Sequence, residues 1–148
     1  LVPGPEEALA LAAGVSPAAH QLVERWWPGP LTVVLRRGPA SRPFELGGDD
    51  ATIGIRCPDH ELVRDLARQV GPLVATSANR HRDPTPATAE GVADALAGAV
   101  EIVLDGGACE GAPSTVVDCT GDQPRLLREG RIPWPEILRT FEVPAVDE

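Results

Sequence analysis

The sequence contains no lysine, no methionine and no tyrosine, and it has only two phenylalanines. Its positive charge therefore rests on 13 arginines, against 22 acidic residues, which gives a formal net charge of −9. A chain this acidic lacks the broad cationic surface that grips nucleic acid, although arginines can still line a local pocket for one anionic ligand. No apolar run approaches the roughly 20 residues that a membrane helix needs, so we expect no membrane partner.

Cysteine is also scarce. The three cysteines, Cys57, Cys109 and Cys119, are odd in number and show no C-x-x-C spacing. This argues against a disulfide framework and against a zinc site, so we assign no metal ligands. Reduced thiols are typical of the cytoplasm, where we expect the protein to reside. Because methionine is absent, we also expect either that the N-terminus has been removed or that this is a piece of a longer chain.

The length of 148 residues and a hydrophobic content of 43% favour one domain with a single core, followed by an acidic tail over 142–148. Apolar periodicity, proline, glycine and capping residues predict a three-layer α/β domain with a twisted mixed sheet. The predicted strands are Leu31–Leu35, Thr52–Arg56, Leu73–Thr76, Glu101–Asp105, Ser114–Cys119 and Arg125–Arg128, with Leu1-Val2 as the tail of another. The predicted helices run from Pro5 towards Gly14, from a Ser16 cap to Pro28, from His60 to Val70 with Asp59 as cap, onward from a Thr88 cap with Val92, Ala95, Leu96 and Ala99 inward, and from Pro135 to Phe141.

One predicted strand carries a polar stripe. Its residues Thr52, Gly54 and Arg56 share a face, while Ile53 and Ile55 share the other. Glycine would let a ligand approach the backbone, and a guanidinium fork suits a carboxylate or a phosphate. The same pattern is typical of an edge strand with a solvated face, while the run Leu31–Leu35 is more typical of a strand buried on both faces.

Three further segments could contribute to a site. Small and hydroxyl residues over Ala75–Asn79 follow a predicted strand, where open α/β sheets bind ligands, but they are equally typical of an ordinary turn. The segments Ser114–Asp118 and Leu126–Gly130 are weak signals when taken alone. No nucleophile arrangement, phosphate loop or dinucleotide fingerprint is present, so no catalytic residue is assigned.

Taken in order, five stretches of the chain resemble the YrdC/Sua5 family of threonylcarbamoyl-AMP synthases. These stretches are Pro28-Gly29-Pro30-Leu31-Thr32, the run from Thr52 to His60, Ala75-Thr76-Ser77-Ala78-Asn79, Ser114-Thr115-Val116-Val117-Asp118 and Leu127-Arg128-Glu129-Gly130. The resemblance implies synthesis of threonylcarbamoyl-AMP and pyrophosphate from L-threonine, bicarbonate or CO2, and ATP, with Mg²⁺ expected alongside ATP. It also implies a tRNA-modifying threonylcarbamoyl transferase complex as the partner that receives the product.

The resemblance further implies a role for individual residues. ATP would be bound by Thr52, Ser77, Thr85 and Arg128, and threonine by Arg56, Ala75 and Ser114. Asn79 belongs to the family's Ser-x-Asn signature and is expected to shape the turn.

The sequence departs from the family pattern in three places. The family's N-terminal lobe, with its Lys/Arg cluster for ATP, is absent, so we expect this 148-residue chain alone to have little or no activity. Arg80-His81 replaces the usual Ser-Gly, and Pro113 replaces an acidic residue. Two alternatives stay open, namely a non-catalytic module that binds double-stranded RNA or a nucleotide, and a carbamoyl-transfer domain of the hydrogenase-maturation type.

Overall fold

The computed structural model describes residues 1–80, 82–109 and 111–142. The chain divides into two compact units: Leu1–Val74 joins with the segment from Ala112 onward, and residues 75–111 form the second unit. The first unit holds a four-stranded sheet, and the second holds one short helix. Most of the predicted acidic tail, residues 143–148, lies outside the described residues.

Within the described ranges ten elements follow one another, and most were predicted. The helices are α1 (Pro5–Ala10), α2 (Pro17–Trp26), α3 (Glu61–Val70), α4 (Ala89–Ala95) and α5 (Trp134–Arg139), with a single 3-10 turn at Pro39–Ser41. The strands are β1 (Leu31–Arg36), β2 (Thr52–Ile55), β3 (Thr115–Asp118) and β4 (Arg125–Arg128).

Local capping chemistry explains where the helices begin. The Ser16 hydroxyl accepts a hydrogen bond from the backbone N–H of Ala19 at 3.2 Å, and proline follows it at the first helical position. Thr88 caps α4 in the same way, accepting from the N–H of Gly91 at 3.2 Å. The predicted Asp59 cap of α3 is wrong, because His60 occupies the cap position and its side chain makes no capping hydrogen bond.

The sheet has the order β2-β1-β3-β4. The central strands β1 and β3 are parallel, with Leu31 opposite Thr115, whereas β2 and β4 run antiparallel to their neighbours. The predicted mixed α/β fold is confirmed.

The two faces of the sheet differ in burial. Leu31, Val33 and Leu35 are buried in a core that α1, α2 and α5 also enter, whereas the alternate β1 residues Thr32 and Val34 are only half-buried. The prediction that β1 is buried on both faces is therefore wrong. We call the half-buried side the open face of the sheet.

Two predicted strands do not form. At Leu73–Thr76, only Leu73 pairs with a strand-like partner, exchanging backbone hydrogen bonds of 2.6 and 2.9 Å with Leu1, and residues 74–76 are exposed. Glu101–Asp105 is also exposed, and the described part of residues 75–111 contains no strand. Apolar alternation favours an extended conformation, but a strand forms only where a second strand takes up its backbone hydrogen bonds.

The predicted inward stripe of α4 is only partly confirmed. Val92, Ala95 and Leu96 are half-buried, whereas Ala99 is exposed beyond the end of the helix.

Candidate substrate-binding site

Four chain segments meet at one end of the sheet, where β1 and β3 begin and β2 and β4 finish. Three backbone hydrogen bonds of 2.9 Å join them: Thr115 N–H donates to the Pro30 carbonyl, Arg131 N–H to the Pro113 carbonyl, and Gly29 N–H to the Cys57 carbonyl. We call this region the arginine end of the sheet, after the residues that follow or close its strands, Arg56, Arg128 and Arg131.

Arg56 is half-buried just past β2. Its Nε donates to the Gly29 carbonyl at 2.9 Å, which fixes the plane of the guanidinium. Burial, and then the positive charge of Arg131, lower the pKa of Arg56 from its ordinary value, although the group stays protonated at physiological pH. Within the described ranges no carboxylate forms an ion pair with either arginine. Two Nη groups of Arg56 are therefore left to bind an anion.

Ser114 lies at the centre of the arginine end. It is buried, and its hydroxyl oxygen is 2.8 Å from Oγ1 of Thr32. Arg128 donates to the Ser114 carbonyl from Nε at 3.2 Å and from Nη2 at 2.9 Å, and Nη2 also lies 3.2 Å from the hydroxyl. The structure thus brings the predicted residues Ser114 and Arg128 into direct contact.

The neighbouring hydroxyl of Thr115 supports this arrangement from the core side. It donates to the Ile132 carbonyl at 2.6 Å and accepts from the N–H groups of Gly130 and Ile132 at 3.0 Å. A Cβ at Gly130 would lie 2.2 Å from the Pro113 carbonyl oxygen, so only glycine fits. These contacts hold the backbone on both sides of Arg131.

Thr52, predicted to bind ATP, lies at the other end of the open face. It is opposite Arg36 in the β1–β2 register and four residues from Arg56, a distance of about 13 Å along an extended strand. Gly54 lies between them and is exposed. A Cβ there would contact Thr32 Cγ2 at 3.6 Å and Val34 Cγ2 at 3.9 Å, which are ordinary distances, so protein packing does not demand this glycine.

The carboxylate of Asp118, at the same end of the open face as Thr52, already has partners within the protein. Asp118 accepts from the Thr120 hydroxyl at 2.7 Å and pairs with Arg125 at 2.9 Å. Burial pushes the pKa of Asp118 upward, but the hydrogen bonds from Thr120 and Arg125 outweigh it, so the pKa lies below its ordinary value. A carboxylate held in this way is a poor proton acceptor at neutral pH.

The remaining predicted residues, Ala75, Ser77 and Thr85, belong to the second unit. Ser77 and Ala75 are exposed. Thr85 donates its hydroxyl proton to Oδ1 of Asn79 at 3.1 Å, while Nδ2 of Asn79 donates to the carbonyls of Arg80 and Asp83 at 2.9 Å. Asn79 thus closes the loop that runs from it to Thr85, which agrees with the turn-shaping role expected of it.

A shallow cavity of about 420 Å³ lies elsewhere in the first unit, beside the loop that follows β1. Its central side chain is Arg37, which donates to the carbonyls of Ser41 at 2.7 Å and Phe44 at 2.6 Å and pairs with Asp50 at 3.1 Å. Arg37 is therefore engaged in holding the loop, and this cavity is structural.

The structure adds two residues that the sequence reasoning left without a role, Thr32 and Arg131. Thr32 belongs to the Pro-Gly-Pro-Leu-Thr stretch, and Arg131 directly follows Gly130. The signal for both is the register of the sheet, which places residues distant in sequence side by side.

The described residues contain no helix long and apolar enough to cross a bilayer. Across the same ranges, no group of three or more His, Cys, Asp or Glu side chains could hold a metal ion.

The fold and the arginine end define a mixed α/β domain whose open sheet face carries hydroxyls and guanidiniums suited to an anionic small molecule. The chain belongs to the Sua5/YciO/YrdC family, described as "Telomere recombination", whose model matches residues 1–130. It is 39% identical over 138 residues to the threonylcarbamoyl-AMP synthase of Pyrococcus abyssi, covering 92% of this chain and 40% of the relative. The synthase of Bacillus subtilis is 40% identical over 121 residues, covering 80% of this chain and 35% of the relative.

Solved structures agree with this assignment. P. abyssi Sua5 complexed with L-threonine is 37% identical with a TM-score of 0.85, covering 95% of this chain and 42% of that one. Escherichia coli YciO is 28% identical with a TM-score of 0.74, covering 86% of this chain and 63% of that one. The chain therefore spans about two-fifths of the length of the P. abyssi relative.

Proposed function

We propose that the protein is a threonylcarbamoyl-AMP synthase, which forms threonylcarbamoyl-AMP and pyrophosphate from L-threonine, bicarbonate or CO2, and ATP. The observation that carries this proposal is the half-buried Arg56 fork at the same sheet end as the Ser114 hydroxyl. Its support from relatives is the 39% identity to the P. abyssi synthase and the likeness to P. abyssi Sua5 complexed with L-threonine.

Threonine would bind at the arginine end. The Arg56 Nη groups form a planar fork that can donate to both oxygens of its carboxylate, a geometry in which hydrogen bonds are strengthened by charge. Ser114 offers a hydroxyl at the same end of the sheet. The family resemblance also assigns Ala75 to threonine binding.

ATP would extend along the open face. Arg128 uses Nε and Nη2 on Ser114, and its Nη1 is left for a nucleotide oxygen. Thr52 lies at the other end of the open face. Only an extended molecule such as ATP could contact both Arg128 and Thr52. The family resemblance also assigns Ser77 and Thr85 to ATP binding.

The proposed reaction needs no covalent intermediate with the protein. The threonine amine adds to CO2 with loss of a proton, and a carbamate oxygen then attacks the α-phosphorus of ATP and displaces pyrophosphate. Such a step depends on positioning and on cationic stabilisation of the phosphates. We expect Mg²⁺ to enter with the phosphates of ATP, the oxygens that this ion commonly binds in such reactions.

The product would pass to a tRNA-modifying threonylcarbamoyl transferase complex, and we propose that the reaction takes place in the cytoplasm. The alternative is a non-catalytic module that binds double-stranded RNA or a nucleotide, and the net charge of −9 disfavours the RNA form of it for this 148-residue chain.

The test is release of pyrophosphate from ATP by the full-length protein, with threonine and bicarbonate omitted in turn. We expect release only when both are present, and threonylcarbamoyl-AMP as the co-product by mass spectrometry. Release that does not depend on threonine, or no release at all, would contradict the proposal. A gel shift with duplex RNA at two salt concentrations tests the alternative, which predicts binding that weakens steeply with salt.

A further inference from the structure

A pair of hydroxyls from two neighbouring strands lies at the arginine end. Thr32 and Ser114 are 82 residues apart in sequence, and their side-chain oxygens are 2.8 Å apart. The pair lies on the open face of the sheet, where Thr32 is half-buried and Ser114 is buried. Valine has nearly the shape of threonine, so filling space at position 32 does not require a hydroxyl.

Counting protons shows what this pair can offer a ligand. Two hydroxyls carry two protons, and their mutual hydrogen bond uses one of them. Arg128 Nη2, 3.2 Å away, donates to the Ser114 oxygen and occupies one of its lone pairs. Whichever hydroxyl donates within the pair, one O–H remains, and no acceptor for it occurs among the hydrogen bonds of the described residues. The pair therefore presents a single donor.

We infer that Thr32 is a positioning residue for threonine binding: its O–H donates to the Ser114 oxygen, and so directs the O–H of Ser114 to an acceptor oxygen of the amino acid. This inference rests on the proposed function. The acceptor that suits this O–H is a carboxylate oxygen, because the Arg56 guanidinium lies at the same end of the sheet and its charge favours an anionic ligand. Thr32 acts through Ser114, so the effect of removing the Thr32 hydroxyl should depend on the presence of the Ser114 hydroxyl.

The experiment compares Thr32→Val with Thr32→Ser in the full-length protein by steady-state pyrophosphate release. Removing the hydroxyl while keeping the shape should raise KM for threonine about fivefold, with kcat and KM for ATP nearly unchanged. Serine keeps the hydroxyl, so Thr32→Ser should retain a KM close to that of the wild type. A purely structural role would instead lower the melting temperature and leave KM for threonine unchanged.

The control is Thr140→Val, which removes a half-buried hydroxyl that accepts from Trp26 Nε1 at 3.0 Å. It should leave KM for threonine unchanged. The double variant of Thr32→Val with Ser114→Ala should bind threonine no worse than Ser114→Ala alone, because Thr32 acts only through Ser114. Multiplied effects in the double variant, or an unchanged KM in Thr32→Val, would overturn the inference. A wild-type protein without threonine-dependent release would instead overturn the proposed function.

Discussion

Arg56 and Arg36 lie at opposite ends of the open face of the sheet, and each donates through Nε to a backbone carbonyl. Arg56 contacts Gly29 at 2.9 Å, and Arg36 contacts Thr120 at 3.0 Å. The two arginines therefore share an anchoring geometry but differ in surroundings, since Arg56 is half-buried at the same end of the sheet as Ser114 and Arg36 is exposed at the other end. This similarity makes them a matched pair for testing where the anion binds.

Arg56→Lys should raise KM for threonine by at least about tenfold, because a lysine cannot hold the Gly29 carbonyl and a two-oxygen carboxylate at once. Steady-state kinetics with threonine and with ATP varied in turn will measure the effect. Arg36→Lys should leave KM for threonine unchanged. Equal effects of the two substitutions would show that the carboxylate does not bind at the arginine end.

Gly54→Ala should change substrate binding without changing the stability of the fold. The added Cβ would make ordinary contacts of 3.6 and 3.9 Å with Thr32 and Val34, so the midpoint of urea unfolding should change little or rise slightly. The same methyl group would occupy space above the open face that the ligand is proposed to use. We expect KM for the substrates to rise in a stable protein, whereas unchanged kinetics would place the ligand elsewhere.

Gly130→Ala should do the reverse and act mainly on folding. Its Cβ would lie 2.2 Å from the Pro113 carbonyl oxygen and 2.6 Å from that of Ser114. Overpacking of this kind costs about 3 kcal/mol of the free energy of unfolding, which urea denaturation will measure. Gly121→Ala is the control, since a Cβ there meets nothing within 4 Å and should leave stability unaltered.

The cysteines give a prediction about reactivity and pH. Burial raises the pKa of Cys57, and burial followed by the charge of Asp118 raises that of Cys119 to about 12. Ellman's reagent at mildly alkaline pH should therefore modify only the exposed Cys109 in the folded protein, and all three thiols after unfolding. Rapid modification of two or three thiols in the folded protein would contradict this burial.

The same shift predicts the sign of a pH effect on stability. The folded-state pKa of Cys119 lies above its ordinary value of 9.0, so the buried neutral thiol stabilises the fold fully below pH 9.0. That contribution is lost as pH rises towards 12. Urea denaturation across this range should show less alkaline loss for Cys119→Ala than for the wild type, and identical slopes would refute the assignment.

Local chemistry was enough to predict most elements of this fold. Ser16 followed by Pro17 predicts the start of α2, and the alternation of isoleucines predicts β2. The prediction failed at Glu101–Asp105, where the pattern favours a strand but the described residues provide no partner strand. Pairing between distant segments is a tertiary property, and no local window contains it.

The candidate site shows the same division. The stripe Thr52-Gly54-Arg56 could be read from alternation, and the family resemblance supplied Ser114 and Arg128. The contact between Thr32 and Ser114 could not be predicted, because it depends on the parallel register of β1 and β3. Residues of this kind are found only once the sheet is assembled.

The most direct test of the account is a titration of the isotope-labelled full-length protein with L-threonine, followed by amide NMR. If the arginine end binds the amino acid, shifts should concentrate at Gly29, Arg56 and Ser114 and should be absent in Arg56→Lys at the same threonine concentration. Shifts confined to the far end around Asp118 and Thr120, or equal shifts in the variant, would contradict it.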